Sequence, residues 1–277
     1  MPVKIYAIQT GSVQIKTAQR VRKRGGVIRV LTDSHWTAWL PILAWVIDHP
    51  EGIIVVDTGE TAQTADPGYF PRWHPYYRGS VRIHVPPDEE IGPQLRRMGI
   101  SPADIKTLVL THFHTDHAGG LQHFPKSMIL VSGSDYQIAR GFVGRLRGYL
   151  PNHWPTWFAP TSIDFERTSV GPFTQQYQVT QTGDVVVVPT PGHTPGHVSV
   201  LVNSDDVTYF LAGDTSYTEQ LLLDQQPDGV SPNAQVTRGT LHQILHLAHA
   251  QPLVYLPTHD PESAERLKEQ RTVGMSR

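Results

Sequence analysis

The chain has 277 residues, of which 39% are hydrophobic and 17% are charged, and its formal net charge is −2. This apolar fraction is large enough to fill a core, which excludes a chain that is disordered throughout. A charge so close to zero argues against a general binder of nucleic acid or of membrane surfaces, and we expect neither kind of partner.

The first half of the chain contains several strand patterns and one clear helix. The patterns predict a helix over residues 87–98 and strands over residues 3–8, 42–47, 52–56 and 105–110, the second and third of which form a hairpin. The N-terminal residues lack the apolar core of a signal peptide, and the longest apolar run, residues 39–47, is too short to span a bilayer. We therefore expect a cytoplasmic protein.

Residues 16–29 carry six Lys and Arg residues and no acid. We interpret this basic segment as a solvated edge strand or loop, because Lys and Arg commonly protect sheet edges. Contact with an anion or a partner is the alternative interpretation.

Strands and helices are also mixed in the second half. The patterns predict helices over residues 134–140, 241–250 and 261–270, and strands over residues 128–131, 185–188, 198–202, 208–211 and 253–256. Asp260 is placed as the N-cap of the last helix, with Pro261 in its first turn. Because no linker or repeat interrupts the chain, we predict one layered α/β (α+β) domain over residues 1–277.

The most informative segment is THFHTDHAGG, residues 111–120, which directly follows a predicted strand. In an extended geometry His112 and His114 point the same way, so one cation can bind both. Asp116 and His117 follow as the chain turns, and they offer an oxygen and a nitrogen to a second cation. The chain has 15 His and no Cys, so any metal site must be built from nitrogen and oxygen donors.

This segment resembles the HxHxDH signature of the metallo-β-lactamase superfamily. Four further segments match the superfamily in the same order along the chain, namely Asp57-Thr58-Gly59, the loop 190–197 with His193, the segment 213–215 with Asp214, and the segment 256–260 with His259. Each match is modest alone, but five in order are specific. Together they extend over most of the chain.

The resemblance implies an αββα sandwich with two metal ions at one edge, between the sheets. It assigns His112, His114 and His193 to one ion, Asp116, His117 and His259 to the other, and Asp214 to a bridge between them. Donors of this kind suit Zn²⁺ and are also compatible with Fe, Mn or Co. Two such ions about 3.5–4 Å apart can share a hydroxide that acts as a nucleophile. Asp57 and His197 are expected to support the ligands.

One local match distinguishes branches of the superfamily. Tyr217 lies three residues after Asp214, which is similar to the Asp-x-x-Tyr of N-acyl-homoserine lactonases. The absence of Cys counts against β-lactamases that use a Cys ligand. The resemblance therefore implies a hydrolase in which the bridging hydroxide opens a lactone ring, an activity that quenches quorum signals. Tyr217 would stabilise the oxyanion, and Asp116 would deliver a proton to the leaving alkoxide.

Two Pro-rich stretches, residues 68–77 and 149–158, hold nine of the 24 aromatic residues. We interpret them as loops whose aromatic side chains bind the substrate, with candidates Tyr69, Phe70, Trp73, Trp154, Trp157 and Phe158. Alternatively, the loops pack as a satellite core or form the interface of a homodimer.

Two other functions stay open at this point. One is a related hydrolase that acts on another lactone, on a thioester as in glyoxalase II, or on an organophosphate, because the same hydroxide can attack all of these. The other is a metal-binding protein without turnover. The complete ligand set together with Tyr217 favours an enzyme.

Overall fold

The computed structural model describes residues 3–204 and 206–275. Its first sheet has seven strands in the order β4-β1-β2-β3-β5-β6-β7. The strands are β1 (Lys4–Ile15), β2 (Leu40–Asp48), β3 (Ile54–Val56), β4 (Val81–His84), β5 (Thr107–Val109), β6 (Met128–Val131) and β7 (Thr161–Ser162). The predicted hairpin is confirmed, since β2 and β3 pair antiparallel. From β3 onward the strands run parallel.

The second sheet has five strands in the order β12-β11-β10-β9-β8. They are β8 (Tyr177–Gln178), β9 (Val185–Pro189), β10 (Val198–Asn203), β11 (Thr208–Gly213) and β12 (Leu253–Pro257). The four strands predicted between residues 185 and 256 are thereby confirmed to within two residues. The four valines of β9 are all buried, which is why the strand appears in the sequence as a continuous apolar run rather than an alternating one.

Ten α-helices flank the sheets in the described residues. They are α1 (Thr17–Arg20), α2 (Val27–Thr32), α3 (Pro75–Gly79), α4 (Ile91–Arg97), α5 (Thr115–Ala118), α6 (Gly133–Ala139), α7 (Phe142–Leu146), α8 (Glu219–Leu223), α9 (Ala234–Ala250) and α10 (Ser263–Glu269). None of the helices in residues 3–204 and 206–275 is long and apolar enough to cross a membrane.

Three local predictions need correction. The basic segment 16–29 contains α1 and α2 rather than an edge strand or loop alone. Helix α9 starts seven residues before the predicted position, because the Asn233 side chain accepts hydrogen bonds from the backbone amides of the first turn. The N-cap of α10 is Glu262. Asp260 instead holds the buried Arg266, 3.0 Å away.

The main core lies between the two sheets. Trp45 and Val109 of the first sheet pack in one cluster with Val187, Val200 and Leu256 of the second. The outer face of each sheet is covered by helices, with side chains of α4 on the first and of α9 on the second. This order of layers confirms the predicted αββα sandwich. The extent of the domain over residues 1–277 stays a prediction.

The segments that carry the sequence motifs leave the sheets at one edge. Asp57 follows β3, the segment that begins at Thr111 follows β5, and the loop with His193 follows β9. Asp214 and His259 follow β11 and β12, which pair parallel and therefore end side by side. The topology thus brings together residues that lie up to 202 positions apart in the sequence, from Asp57 to His259.

Candidate metal centre

Three histidine nitrogens converge at the end of β5. His112 Nε2 lies 3.0 Å from His114 Nδ1, which in turn lies 2.9 Å from His193 Nε2. All three side chains can present one ligand atom to a common point. Donor atoms around one tetrahedral zinc ion lie about 3.3 Å apart, so this spacing matches a shared ion.

A second group is formed by Asp116 and His117 of α5 together with His259. His259 Nε2 lies 3.3 Å from Asp116 Oδ2, and His117 Nε2 lies 3.9 Å from Asp116 Oδ1. The short helix α5 places Asp116 and His117 on the same side as His259, which arrives from the second sheet. Each sheet therefore contributes to each group of ligands.

Asp214 lies between the two groups. Its Oδ1 is 3.3 Å from His117 Nε2 and 3.4 Å from His259 Nε2, while its Oδ2 is 3.4 Å from His193 Nε2. One carboxylate oxygen thus faces each group. This is the arrangement expected of a carboxylate that bridges two cations.

The histidines are oriented by hydrogen bonds at the ring nitrogen that points away from the centre. His117 Nδ1 donates to Asp57 Oδ2 at 2.8 Å, and His193 Nδ1 donates to Asp228 Oδ2 at 3.2 Å. His259 Nδ1 donates to the carbonyl oxygen of Pro41 at 2.8 Å. With Nδ1 donating outward, each Nε2 atom is directed into the centre, which is the orientation found in many metal sites.

Asp57 and His197, which the sequence predicts to support the ligands, both lie next to the centre. Asp57 has a φ of 60°, a left-handed conformation that is uncommon for Asp, and its carboxylate accepts hydrogen bonds from the amide and the hydroxyl of Thr111. His197 Nε2 accepts the backbone N–H of Asp214 at 3.0 Å. His197 therefore positions the bridging residue and does not offer that nitrogen to a metal.

The electrostatics of the centre favour cations. Burial would raise the pKa of Asp116, but its hydrogen bond to His259 and the charge of His117 lower it to about 2. Burial would likewise lower the pKa of His259, but Asp214 and Asp116 raise it to about 10. The carboxylates thus stay ionised and draw positive charge into a region shielded from water.

Two buried atoms in the centre have no hydrogen-bond partner among the described residues, His117 Nε2 and Asp214 Oδ1. Leaving such atoms without a partner costs free energy, and both are good metal donors. The donor set, its spacing and these two atoms fit a pair of divalent cations. The identity of the metal does not follow from the geometry, although donors limited to nitrogen and oxygen suit Zn²⁺.

Tyr217 lies beside the centre, and its ring stacks on His259 with centroids 5.5 Å apart. The Gln19 side-chain amide donates a hydrogen bond to Tyr217 Oη at 2.9 Å. Burial, together with the charges of Asp214 and Asp228, raises the pKa of Tyr217 well above its usual value. The phenol is therefore protonated, and because it already accepts from Gln19, its own proton is free to be donated elsewhere.

A cavity of about 260 Å³ opens onto the centre. At its inner end lie His114, Asp116, His193, Asp214, Tyr217 and His259. One side of the cavity is aliphatic, where β1, α2 and β4 contribute Val13, Ile15, Val27, Val30, Leu31, Val81 and Ile83. A polar reacting group and an apolar chain can therefore both be accommodated in one cavity.

The six aromatic residues predicted to bind substrate do not line this cavity. Trp154 and Phe158 pack against Phe113 in the core, and Tyr69 stacks on His153 and contacts Phe70. Trp73 and Trp157 are exposed. The contacts among Tyr69, Phe70, Trp154 and Phe158 are of the kind expected for the satellite packing considered as the alternative. The stretches contribute Tyr76, Tyr77 and Tyr149 to the cavity instead.

Two residues near the centre were not anticipated from the sequence, Gln19 and Asp228. Gln19 lies in α1, inside the basic segment, and nothing in its surroundings there points to Tyr217. Asp228 is buried in a turn where it accepts hydrogen bonds from the amides of Val230 and Ser231. Because Asp228 lies 35 positions from His193 in the sequence, no local motif connects the two residues.

Comparisons with known proteins agree with this geometry. The model of the Metallo-beta-lactamase superfamily matches residues 37–259. The chain is 26% identical over 274 residues to the N-acyl homoserine lactonase AttM of Azorhizobium caulinodans, with 94% of each protein covered. It is 30% identical over 198 residues to an N-acyl homoserine lactonase of a Bacillus species, and the match covers 68% of this chain and 69% of that relative.

Among solved structures, the fold is similar to an N-acyl homoserine lactone hydrolase that has its product N-hexanoyl-L-homoserine bound at the catalytic metal center. The TM-score is 0.78 over 96% of both chains, at 23% sequence identity. The chain therefore belongs to the metallo-beta-lactamase superfamily. With its clusters of His and Asp ligands, it is a hydrolase of that fold.

Proposed function

We propose that this protein is a dinuclear metal-dependent lactonase that opens the ring of N-acyl homoserine lactones. The observation that carries the proposal is the cavity, which joins the ligand clusters and Tyr217 at one end to an aliphatic wall at the other. An acyl homoserine lactone has the same two parts, a polar ring and an apolar chain. The relatives named N-acyl homoserine lactonases, at 26% and 30% identity, support this choice of substrate.

In this proposal His112, His114 and His193 hold one cation, Asp116, His117 and His259 hold the second, and Asp214 contacts both. When bound, two divalent cations polarise a carbonyl group and lower the pKa of water. Zn²⁺ is the ion we expect, with Fe, Mn and Co as the alternatives. The protein supplies the remaining functions through its own side chains.

Tyr217 donates its phenolic proton in a hydrogen bond to the lactone carbonyl oxygen, where negative charge develops during attack. Gln19 fixes the direction of this donor by its hydrogen bond to Oη. The aliphatic wall holds the acyl chain and excludes water from that side of the ring.

Asp116, which is ionised at rest, accepts a proton from the attacking water and passes it to the alkoxide that leaves when the ring opens. Its side chain has 18% of its surface exposed, against 5% for Asp214, so it is the carboxylate that a substrate can reach. The product is the ring-opened N-acyl homoserine. Removal of the lactone in this way would quench a signal of that class.

A substrate panel on protein of known metal content tests the proposal. Metal is measured by elemental analysis, and hydrolysis is followed for homoserine lactones of several chain lengths, lactoylglutathione, a cephalosporin and paraoxon. We expect two metals per chain and the highest kcat/KM on an acyl homoserine lactone. Faster turnover of the thioester or the organophosphate would show that the protein acts on that class of substrate and not on lactones. Two bound metals without any hydrolysis would indicate a metal-binding protein.

A further inference from the structure

Three short segments surround the mouth of the cavity, and we call them together the mouth surface. They are residues 20–32, 72–79 and 140–147. Val27, Leu31 and Leu146 from the first and third segments line the same cavity. The second segment joins the third through His74 Nε2, which lies 3.2 Å from the carbonyl oxygen of Leu146. The three segments therefore form one continuous region.

The mouth surface exposes an unusual number of large apolar side chains. Of the fifteen such side chains exposed in residues 3–204 and 206–275, seven belong to these segments, namely Val27, Ile28, Leu31, Trp73, Phe142, Val143 and Leu146. Ile28 is 72% exposed and Phe142 is 75% exposed. Contiguous apolar exposure of this kind marks a binding surface more often than an ordinary solvent-facing region.

The same segments carry a strong local charge that the net charge of −2 conceals. They contain ten of the 23 Lys and Arg residues and none of the 25 acidic ones. Seven of these cations are exposed: Lys23, Arg24, Arg72, Arg78, Arg140, Arg145 and Arg147. None of the seven takes part in the ion pairs found within the described parts of the chain.

We infer that the mouth surface docks on the anionic surface of a lipid bilayer. Apolar side chains surrounded by cations suit the boundary between lipid headgroups and acyl chains, where the apolar groups are buried and the cations meet anionic lipids. A second copy of the chain fits less well, because it would place one cationic surface against another. The overall charge of −2 argues against a general binder of membrane surfaces, but it does not describe how the charges are distributed over the surface.

Docking in this orientation turns the cavity mouth toward the bilayer. An amphiphilic substrate dissolved in the membrane could then enter the cavity without crossing bulk water. This last step rests on the proposed lactonase function, whereas docking itself depends only on the surface.

Vesicle binding of the metal-loaded protein, measured by cosedimentation without substrate, tests the inference. We expect binding to vesicles of phosphatidylcholine and phosphatidylglycerol in equal parts that is at least about tenfold tighter than binding to pure phosphatidylcholine. Binding should be lost at ~1 M salt, where charges are screened within about 3 Å. No binding to the mixed vesicles, or equal binding to both kinds, would overturn the inference.

Two variants with matched controls locate the surface. We expect Arg145→Gln to weaken binding roughly fivefold and Phe142→Ser to weaken it about tenfold. Arg238→Gln and Val236→Ser, which replace an exposed cation and an exposed apolar residue on α9, should leave it unchanged. Equal effects of the α9 controls would contradict the assigned surface.

Size-exclusion chromatography with light scattering tests for the competing occupant. A dimer that Phe142→Ser dissociates would overturn the inference, because a second copy would then cover the surface. Lactonase turnover in detergent-free buffer is measured separately. If the protein does not hydrolyse lactones, the vesicle-binding result still stands. If it does not bind vesicles, the substrate assignment still stands.

Discussion

The metal centre and the aliphatic wall of the cavity are built in opposite ways. In the centre, three of the histidines are fixed by hydrogen-bond acceptors, namely His117 by Asp57, His193 by Asp228 and His259 by the carbonyl oxygen of Pro41. In the wall, side chains such as Val30 and Ile83 are held only by packing. The difference separates two functions. In the proposed lactonase, directional contacts would determine which reaction occurs, and the shape of the wall would determine which acyl chain is accepted. Changes in the two regions should therefore have separable effects.

Loss of the residue shared by both ligand groups should have the largest effect. Asp214→Ala removes the carboxylate that faces both groups, so that His117, His193 and His259 lose the negative charge beside them. We expect kcat/KM to fall roughly a thousandfold or more, together with a lower metal content in elemental analysis. Asp224→Ala, at an exposed position outside the centre, serves as the control. Full metal content and full activity in Asp214→Ala would remove the bridge from the proposal.

Tyr217→Phe distinguishes an effect on turnover from an effect on metal binding, because it removes one hydroxyl group and no proposed metal donor. We expect kcat to fall about a hundredfold with both metals retained. Tyr6→Phe, on an exposed tyrosine, should have no effect. An unchanged kcat would show that the phenol does not stabilise the oxyanion.

Asp228→Asn tests whether orientation of a ligand matters as much as its presence. The variant keeps the shape of the side chain but removes the charge that accepts from His193 Nδ1. We expect metal affinity to fall about 10–100-fold, as measured by competition with a chelator. If affinity is unchanged while the protein is less stable, Asp228 would have only a structural role in its turn.

A substitution in the aliphatic wall should change the preference for acyl-chain length and leave the chemical step unaffected. Ile83→Trp adds volume where the cavity is lined by β4, so we expect kcat/KM on long-chain lactones to fall about tenfold. The short-chain lactones act as the internal control, and their rates should change little. Equal losses on short and long chains would show that the wall and the centre are not separable.

The same division explains what could be predicted from the sequence. The proposed ligands lie in short motifs directly after strands. Their spacing was sufficient to group His112 with His114, whereas the position of Asp214 between the two groups was implied by the resemblance to the metallo-β-lactamase superfamily. The wall was not predictable, because Val13, Val30 and Ile83 are ordinary apolar residues until the fold brings β1, α2 and β4 together. The sequence instead predicted the substrate-binding surface in the aromatic loops 68–77 and 149–158, although most of their rings pack among themselves.

The contact of Gln19 with Tyr217 is the clearest example of a feature that the sequence does not predict. The two residues lie 198 positions apart, and neither has a neighbour in the sequence that points to the other. Asp57 illustrates the opposite case. Its motif drew the prediction that it supports the ligands, while its left-handed backbone became visible only in the structure.

The spread of the ligands along the chain also has a consequence for biosynthesis. Domains are made from the N-terminus at about 5–20 residues per second. The ligands begin at His112 in the middle of the chain and end at His259, which is presented by the last strand of the second sheet. During translation the nascent chain exposes His112, His114, Asp116 and His117 before Asp214 and His259 exist. The complete donor set for the proposed pair of metals therefore exists only after His259 has been synthesised, so the pair can be bound in full only late in translation.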